Sequence, residues 1–394
     1  MLQFALFPVR AVADAEAEPP LAVPVDGAPF RAEVAAIDDQ GRITFLAGQT
    51  HRVLPAADLV YWGRCPEQGR AGGVVPTSGG FVAAEVVTAD DESLTAESDL
   101  LRAQKIPLES LAGVVFHPPP ERQRRDALLD RIVRATGDSD LLLLNNGDEL
   151  RGLLSGIHNN VVKLATDVGP IKVETDRAAA LVFNPALRRR AAKAPPKAWV
   201  GFRDGTRLPA TRLLVEDDSL QLTTAGQTWK IAANELVFLQ PLGGRAVYLS
   251  DLKPDDYRQT PYLDLPWPYK TDRNATGGML RCGERLFMKG LGVHSAAQLT
   301  FSTLLAGEGQ GVRAKRFEAL AGIDDSTAGQ GSVRFRVLVD GQEKYTSATL
   351  RGGDPPVPVT VDLTDAKTLE LIVDYADRAD VLDHADWLDA RLIN

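Results

Sequence analysis

Through the first 240 residues, apolar and polar positions alternate in short runs, and the runs recur on one plan. Phe30–Val34, Phe81–Val86, Leu150–Leu154 and Leu208–Leu214 each follow a turn cue: Asp26-Gly27, Gly79-Gly80, Asn146-Gly147 or Asp204-Gly205. Alternation with a period of two buries one face of a strand. The glycines supply the positive φ such turns need. A polar cluster then precedes a second strand: Asp38-Asp39, Asp90-Asp91, His158-Asn159-Asn160 or Glu216-Asp217-Asp218, which is hairpin-turn chemistry. Each run closes on a short apolar segment: Leu59–Trp62, Val114–Phe116, Leu181–Phe183 or Leu236–Phe238. The pattern predicts four β units over 25–63, 77–117, 141–185 and 199–241, after an N-terminal tail at 1–24. His117-Pro118-Pro119-Pro120 and Ala194-Pro195-Pro196 break the series. Between the second and third units, Leu128, Leu129, Ile132 and Val133 fall at helical spacing, which predicts an amphipathic connector helix over 121–136.

From about Val247 the texture changes. Leu299–Phe301, Phe317–Ile323, Val333–Val339, Val357–Leu363, Leu369–Val373 and Trp387–Ile393 are short apolar-rich runs at regular spacing, and Asp340-Gly341 marks a hairpin. Many short strands with frequent turns predict a two-sheet β-sandwich over 245–394. The fold class is mainly β.

Composition narrows the function classes. The 394 residues are 44% hydrophobic and 25% charged, enough for a sizeable core. The net charge of −9 argues against nucleic acid or an anionic membrane as partner. The basic runs at Arg122–Arg125 and Arg188–Lys193 read as solvated helix or linker surface. With only two cysteines, Cys65 and Cys282, and no CxxC, a thiolate zinc site is excluded; two free buried thiols are expected. No run of 18 apolar residues occurs, so no transmembrane helix is predicted. Met1–Pro8 is too short an apolar stretch to read as a signal peptide.

Two resemblances follow. The four N-terminal units resemble the small, strongly bent sheets of Sm-like and SH3-like barrels. Sm-like folds often bind RNA, but the acidic balance and the lack of aromatics interleaved with Lys or Arg favour a protein-contact or spacer scaffold. In the C-terminal third, Lys289-Gly290-Leu291-Gly292-Val293-His294-Ser295 resembles the KGLGVHS signature of the NPCBM family of carbohydrate-binding modules. Tyr248–Leu252, Phe317–Asp325, Gly331–Phe335, Val339–Gly341 and His384–Arg391 match that family's other motifs in order. The resemblance implies a galactose-binding-like jelly roll, a galactose-type glycan as partner, export from the cell, and a module that is appended and non-catalytic. The other partner expected is a second protein, held by a sandwich that binds no sugar.

The densest polar cluster is Asp383-His384-Ala385-Asp386-Trp387-Leu388-Asp389-Ala390-Arg391. Asp386 and Asp389 do not read as a glycosidase pair, because odd spacing puts them on opposite faces of a strand. Asp383 and Asp389 would lie about 20 Å apart at about 3.3 Å per residue, too far for such a pair. Asp389 and Arg391 share a face and are expected to form an ion pair. Sugar recognition needs an aromatic face and planar polar groups. The candidates are His294, Asp386, Trp387, Arg391 and, in a Pro-rich loop, Trp267; Trp387 reads equally as a core tryptophan and His294 as a buried strand pin. No cofactor is required by these residues; the one they leave open is a structural calcium, with Asp324, Asp325 and Asp383 near strand ends as candidate ligands. Only His294 and His384 of five histidines fall in this domain, and no HExxH occurs, so zinc is not expected. Asn274-Ala275-Thr276 is a formal glycosylation sequon.

Overall fold

The computed structural model describes residues 18–189, 195–224, 226–262, 266–305, 311–377 and 379–394. Most of the expected tail, residues 1–17, lies outside the described residues, as do 190–193 of the second basic run. The end of that tail is not a tail. Leu21–Pro24 is a strand, with Ala22 facing the core, and it pairs with Leu59–Gly63.

Each N-terminal unit has a three-stranded meander, a single 3₁₀ turn and a closing strand. In the first unit these are Glu33–Ile37, Arg42–Ala47, Thr50–Pro55, Ala56–Asp58 and Leu59–Gly63. Turn chemistry divides the four units into two kinds. In the first two, Asp38 and Asp90 accept hydrogen bonds from the amides that follow, Gln40 and Arg42 for one, Glu92 and Ser93 for the other. In the last two, Asn159-Asn160 and Asp217-Asp218 both take positive φ, which Asn and Asp tolerate best among residues with side chains.

The four units do not stand as beads in a row. The first pairs with the fourth and the second with the third, so one pair nests inside the other. Ile37 pairs with Val215, and Ala89 with Ile157, each at the residue just before its turn. The closing strands pair as well, Trp62 opposite Leu239 and Val114 opposite Leu181. One continuous core, from Ala22 to Leu239, runs through all four. The reason is size. A unit of about 40 residues buries too little surface to fold alone, and a bent meander leaves half its apolar face uncovered until another covers it. The outer edges at Thr50–Pro55, Arg102–Pro107, Gly169–Glu174 and Gln227–Ala232 carry Arg52, Lys105, Lys172 and Lys230, which discourage further strand addition.

The connector helix spans Arg122–Arg134. It lays Ile132, with Leu128 and Leu129, on the outer face of the inner pair. A side chain at Gly113 would come within 2.8 Å of the Ile132 methyl, so the glycine permits this close approach. The basic runs are less solvated than their composition suggests. Arg125 is buried and donates to the Pro119 and Pro120 carbonyls, while Arg188 donates to the carbonyls of Ala112, Ile132 and Phe183.

The C-terminal part is a sandwich of two antiparallel sheets. One runs Lys270–Thr271, Gly290–His294, His384–Ile393, Arg316–Ile323, Val357–Asp362, with Ala246–Tyr248 against the end of His384–Ile393. The other runs Asp256–Gln259, Ala297–Ser302, Thr368–Tyr375, Ser332–Val339, Gln342–Thr346, with Leu350–Arg351 alongside. The alternation of Val333, Phe335, Val337 and Val339 does what it predicts: all four belong to the sandwich core.

The sandwich is docked on the repeat block through buried contacts. Arg281 is the centre. Its Nε donates to Glu67 Oε1 at 2.7 Å, and its Nη2 donates to Asp126 Oδ1 at 3.1 Å. Burial works against both charges, but the carboxylates raise the guanidinium's proton affinity and Arg281 in turn holds the Glu67 carboxyl below its usual range. Gln240 donates to Asp389 at 2.9 Å, the Tyr248 hydroxyl donates to the Val60 carbonyl at 3.2 Å, and Arg316 donates to the Val25 carbonyl at 2.7 Å. Met279, Leu286 and Met288 pack on Cys65 and Phe238. Breaking a buried ion pair leaves its partner uncompensated. Asp126→Ala is therefore expected to destabilise the protein by about 3 kcal/mol, the low end for such pairs because Glu67 remains. Urea unfolding checks this, and a change under 1 kcal/mol, about the value of an exposed pair, would mean Arg281 is not the docking anchor.

Candidate functional site

The strand His384–Ile393 lies at the centre of its sheet, and all ten of its residues are buried. Ala385, Trp387, Ala390 and Leu392 face the core between the sheets. Trp387 is fully buried, edge-on to Phe335 at 4.9 Å and to Phe317 at 6.0 Å. It is a core tryptophan, and no ligand reaches it. Arg391 is no ligand group either: its Nη2 donates to Glu318 Oε2 at 2.6 Å. The expected Asp389–Arg391 ion pair does not form. Asp389 takes φ of 47° at a bulge, which turns its carboxylate to Gln240 of the repeat block, and Arg391 reaches only the Asp389 carbonyl. The bulge also overturns the face assignment, because Leu388 and Asp389 both leave the core side, as Asp386 does. Trp387→Ala is expected to cost about 3–5 kcal/mol and Trp267→Ala under 1 kcal/mol. Thermal melting of the two variants checks the contrast.

Asp386 faces outward but is roofed over. It has no exposed surface, and neither carboxyl oxygen has a donor. Gly292 and Gly322 flank it on the neighbouring strands; a Cβ on Gly292 would strike the Arg273–Asn274 backbone and one on Gly322 the Cys282 sulfur. Its companion is Asp324, whose Oδ1 accepts from Asn274 Nδ2 and Ser326 N and whose Oδ2 accepts from Arg281 N, each at 2.9 Å. Burial first, and the Asp324 charge second, push the Asp386 carboxyl well above the usual carboxylate range. Burial thus holds Asp386 as the neutral acid. A raised carboxyl binds its proton more tightly in the fold than in the unfolded chain, whose value is about 3.9. Its contribution is whole below that value and is lost as the pH rises through the folded value. Asp386→Asn keeps the donor without the titration. Its stability relative to wild type should rise between pH 4 and pH 7, because only the wild type loses stability as that proton is lost. Urea unfolding at the two pH values reads this, and a gap that narrows towards pH 7 would refute the neutral-acid assignment.

A polar cluster beside a half-buried aromatic lies at the start of the same strand. His384 sits opposite His294 on the neighbouring strand, with ring centres 5.8 Å apart. Trp267 stacks on His294 at 4.5 Å and 12° between planes, and lies 5.8 Å from His384. Trp267 is half-buried, whereas both imidazoles are buried. Gln259 fixes the tryptophan's loop: its Oε1 accepts from Trp267 N at 3.1 Å while its Nε2 donates to the Ser295 carbonyl at 3.1 Å. That same carbonyl lies 3.1 Å from His294 Nδ1, so Nδ1 carries the proton and Nε2 is free to accept. Burial lowers the His384 pKa, and its Nδ1 has no partner. The arrangement offers one aromatic surface with imidazole edges behind it. The sequence marks Trp267 and His294 as candidate ligand groups, and the structure brings these two together. It keeps Asp386, Trp387 and Arg391 away from the surface.

The acids named as calcium ligands do not fit that ion. Asp325 accepts from Gly283 N and Glu284 N, and Asp383 from Ser332 N and the Ser295 hydroxyl, as Asp324 does from its three donors. Calcium needs six to eight oxygens, and among the described residues no three His, Cys, Asp or Glu groups come together as a metal site. These acids instead tie strand ends and loops. Asn274 is likewise internal, 2% exposed, with its Oδ1 accepting from Thr276 and Gly278, so the sequon is not an acceptor in the fold. His384 and Gln259 were missed. Only the register that sets His384 against His294 singles out the one, and nothing in the local sequence marks the other.

Comparison with known proteins bears on the same region. Residues 245–393 match the NPCBM/NEW2 domain, and the C-terminal sandwich is a member of that family. A protein named "Putative endo-alpha-N-acetylgalactosaminidase" from Renibacterium salmoninarum is 28% identical over 187 residues, 42% of this chain and 12% of that protein. Alpha-1,3-galactosidase B of Akkermansia muciniphila is 28% identical over 122 residues, 30% of this chain and 15% of that enzyme. The chain thus spans less than a sixth of either relative. Among solved structures, the CBM51 module of Clostridium perfringens GH95 in complex with methyl-galactose is 25% identical, covering 37% of this chain and 99% of that one with a TM-score of 0.33. Both cysteines are free and buried, and no helix among the described residues is long and apolar enough to cross a membrane.

Proposed function

We propose that this protein is a non-catalytic, exported glycan binder whose C-terminal sandwich holds a galactose-type sugar at the Trp267–His294–His384 cluster, with the repeat block as its scaffold. The observation that carries the reading is the half-buried Trp267 clamped against His294 within an NPCBM/NEW2 domain. One face of the indole rests on the imidazole. The other can meet the C–H face of a pyranose, while His294 Nε2 accepts from a hydroxyl. Both relatives are named for glycosidases that act on galactose-type linkages, which supports the sugar class. A rigid, preformed aromatic surface lowers the entropy cost of binding a weakly held ligand.

A glycan array probed with the whole chain tests the reading. Saturable binding to galactose-terminated glycans is expected. Trp267→Ala, with unchanged melting, should weaken it about tenfold or more, since aromatic contacts are worth about 0.5–1.5 kcal/mol beyond the area they bury. Absence of binding to every glycan by the folded protein would favour the competing reading, a protein-contact scaffold whose sandwich binds no sugar.

A further inference from the structure

A second aromatic surface lies at the same end of the sandwich. Tyr262 is 58% exposed and Tyr375 48%, with their rings edge-to-face at 6.3 Å. The backbone beneath both is fixed by strand ends. Thr260 N donates to the Ala296 carbonyl, two residues before Tyr262. Tyr375 closes the strand Thr368–Tyr375, opposite Val333. Across the sheet, Gln259 pairs with Ala297, and Ala297 with Val373. Gln259 is also the residue that fixes Trp267, so the two aromatic surfaces stand on one framework. Asp383 joins them from below, accepting from Ser295 beside His294 and from Ser332, the neighbour of Val333.

Two tyrosines this exposed gain little from packing in the fold. Exposed aromatic pairs with polar neighbours are what a ligand surface needs. We propose that Tyr262 and Tyr375 form a second sugar platform, so that the domain reads at least two consecutive residues of a glycan. The terminal sugar takes the more enclosed Trp267–His294 cluster, and the chain leaves across the open tyrosine shelf. The shelf rests on the sugar-binding reading given above and adds the length of glycan recognised.

The test is calorimetric titration of the whole chain with methyl β-galactoside, lactose and the galactose-terminated tetrasaccharide lacto-N-tetraose. The wild type should bind the tetrasaccharide about five- to tenfold more tightly than the methyl galactoside, in line with one added aromatic contact. The double variant Tyr262→Ala/Tyr375→Ala should bind the methyl galactoside as the wild type does and lose that gain, with an unchanged melting temperature. Trp267→Ala should weaken binding to all three. A gain that persists in the double variant, or no gain in the wild type, would overturn the shelf and leave the primary site standing. A double variant that loses the methyl galactoside equally would also overturn it, since the tyrosines would then belong to the first site. If the wild type binds none of the three, shelf and sugar reading both fall.

Discussion

The burial of the strand His384–Ile393 constrains nearly everything around it. Ten consecutive buried residues include two aspartates, an arginine and a histidine, so each must find a solution inside the protein. Arg391 finds Glu318, Asp389 finds Gln240, and Asp386 keeps its proton against Asp324. Only the strand's first residue, His384, reaches the cluster with a half-buried aromatic. The site therefore stands at the end of an ordered polar array whose other members hold the sheet, the covering hairpin and the docked repeat block in register.

The array also connects the two parts of the molecule. Asp324 accepts from the Arg281 amide, and the Arg281 side chain lies between Asp126 and Glu67. The sandwich and the repeat block share buried polar and apolar contacts, unlike modules joined by a loose tether.

Much of the architecture was legible in the chain. Period-two alternation located the repeated strands and the sandwich, and helical spacing located the connector, which begins and ends within two residues of its expected bounds. The motif set around Gly290–Ser295 identified the family of the last domain. What escaped was pairing at long range. Nothing local says that Ile37 meets Val215, because any bent meander with an uncovered face presents the same alternation. The site showed the same limit. Trp387 and Trp267 are the same residue type near similar polar neighbours, but one lies between two phenylalanines and the other on a histidine at the surface. A single bulge at Asp389 was enough to change which face its carboxylate occupies.

The nested pairing of the four units also sets a timetable. During synthesis the second unit meets the third after one helix, while the first must wait about 180 residues for the fourth. At about 5–20 residues per second, that is roughly 10–35 s with its apolar face uncovered. The outer pair is a long-range contact of the kind that slows folding.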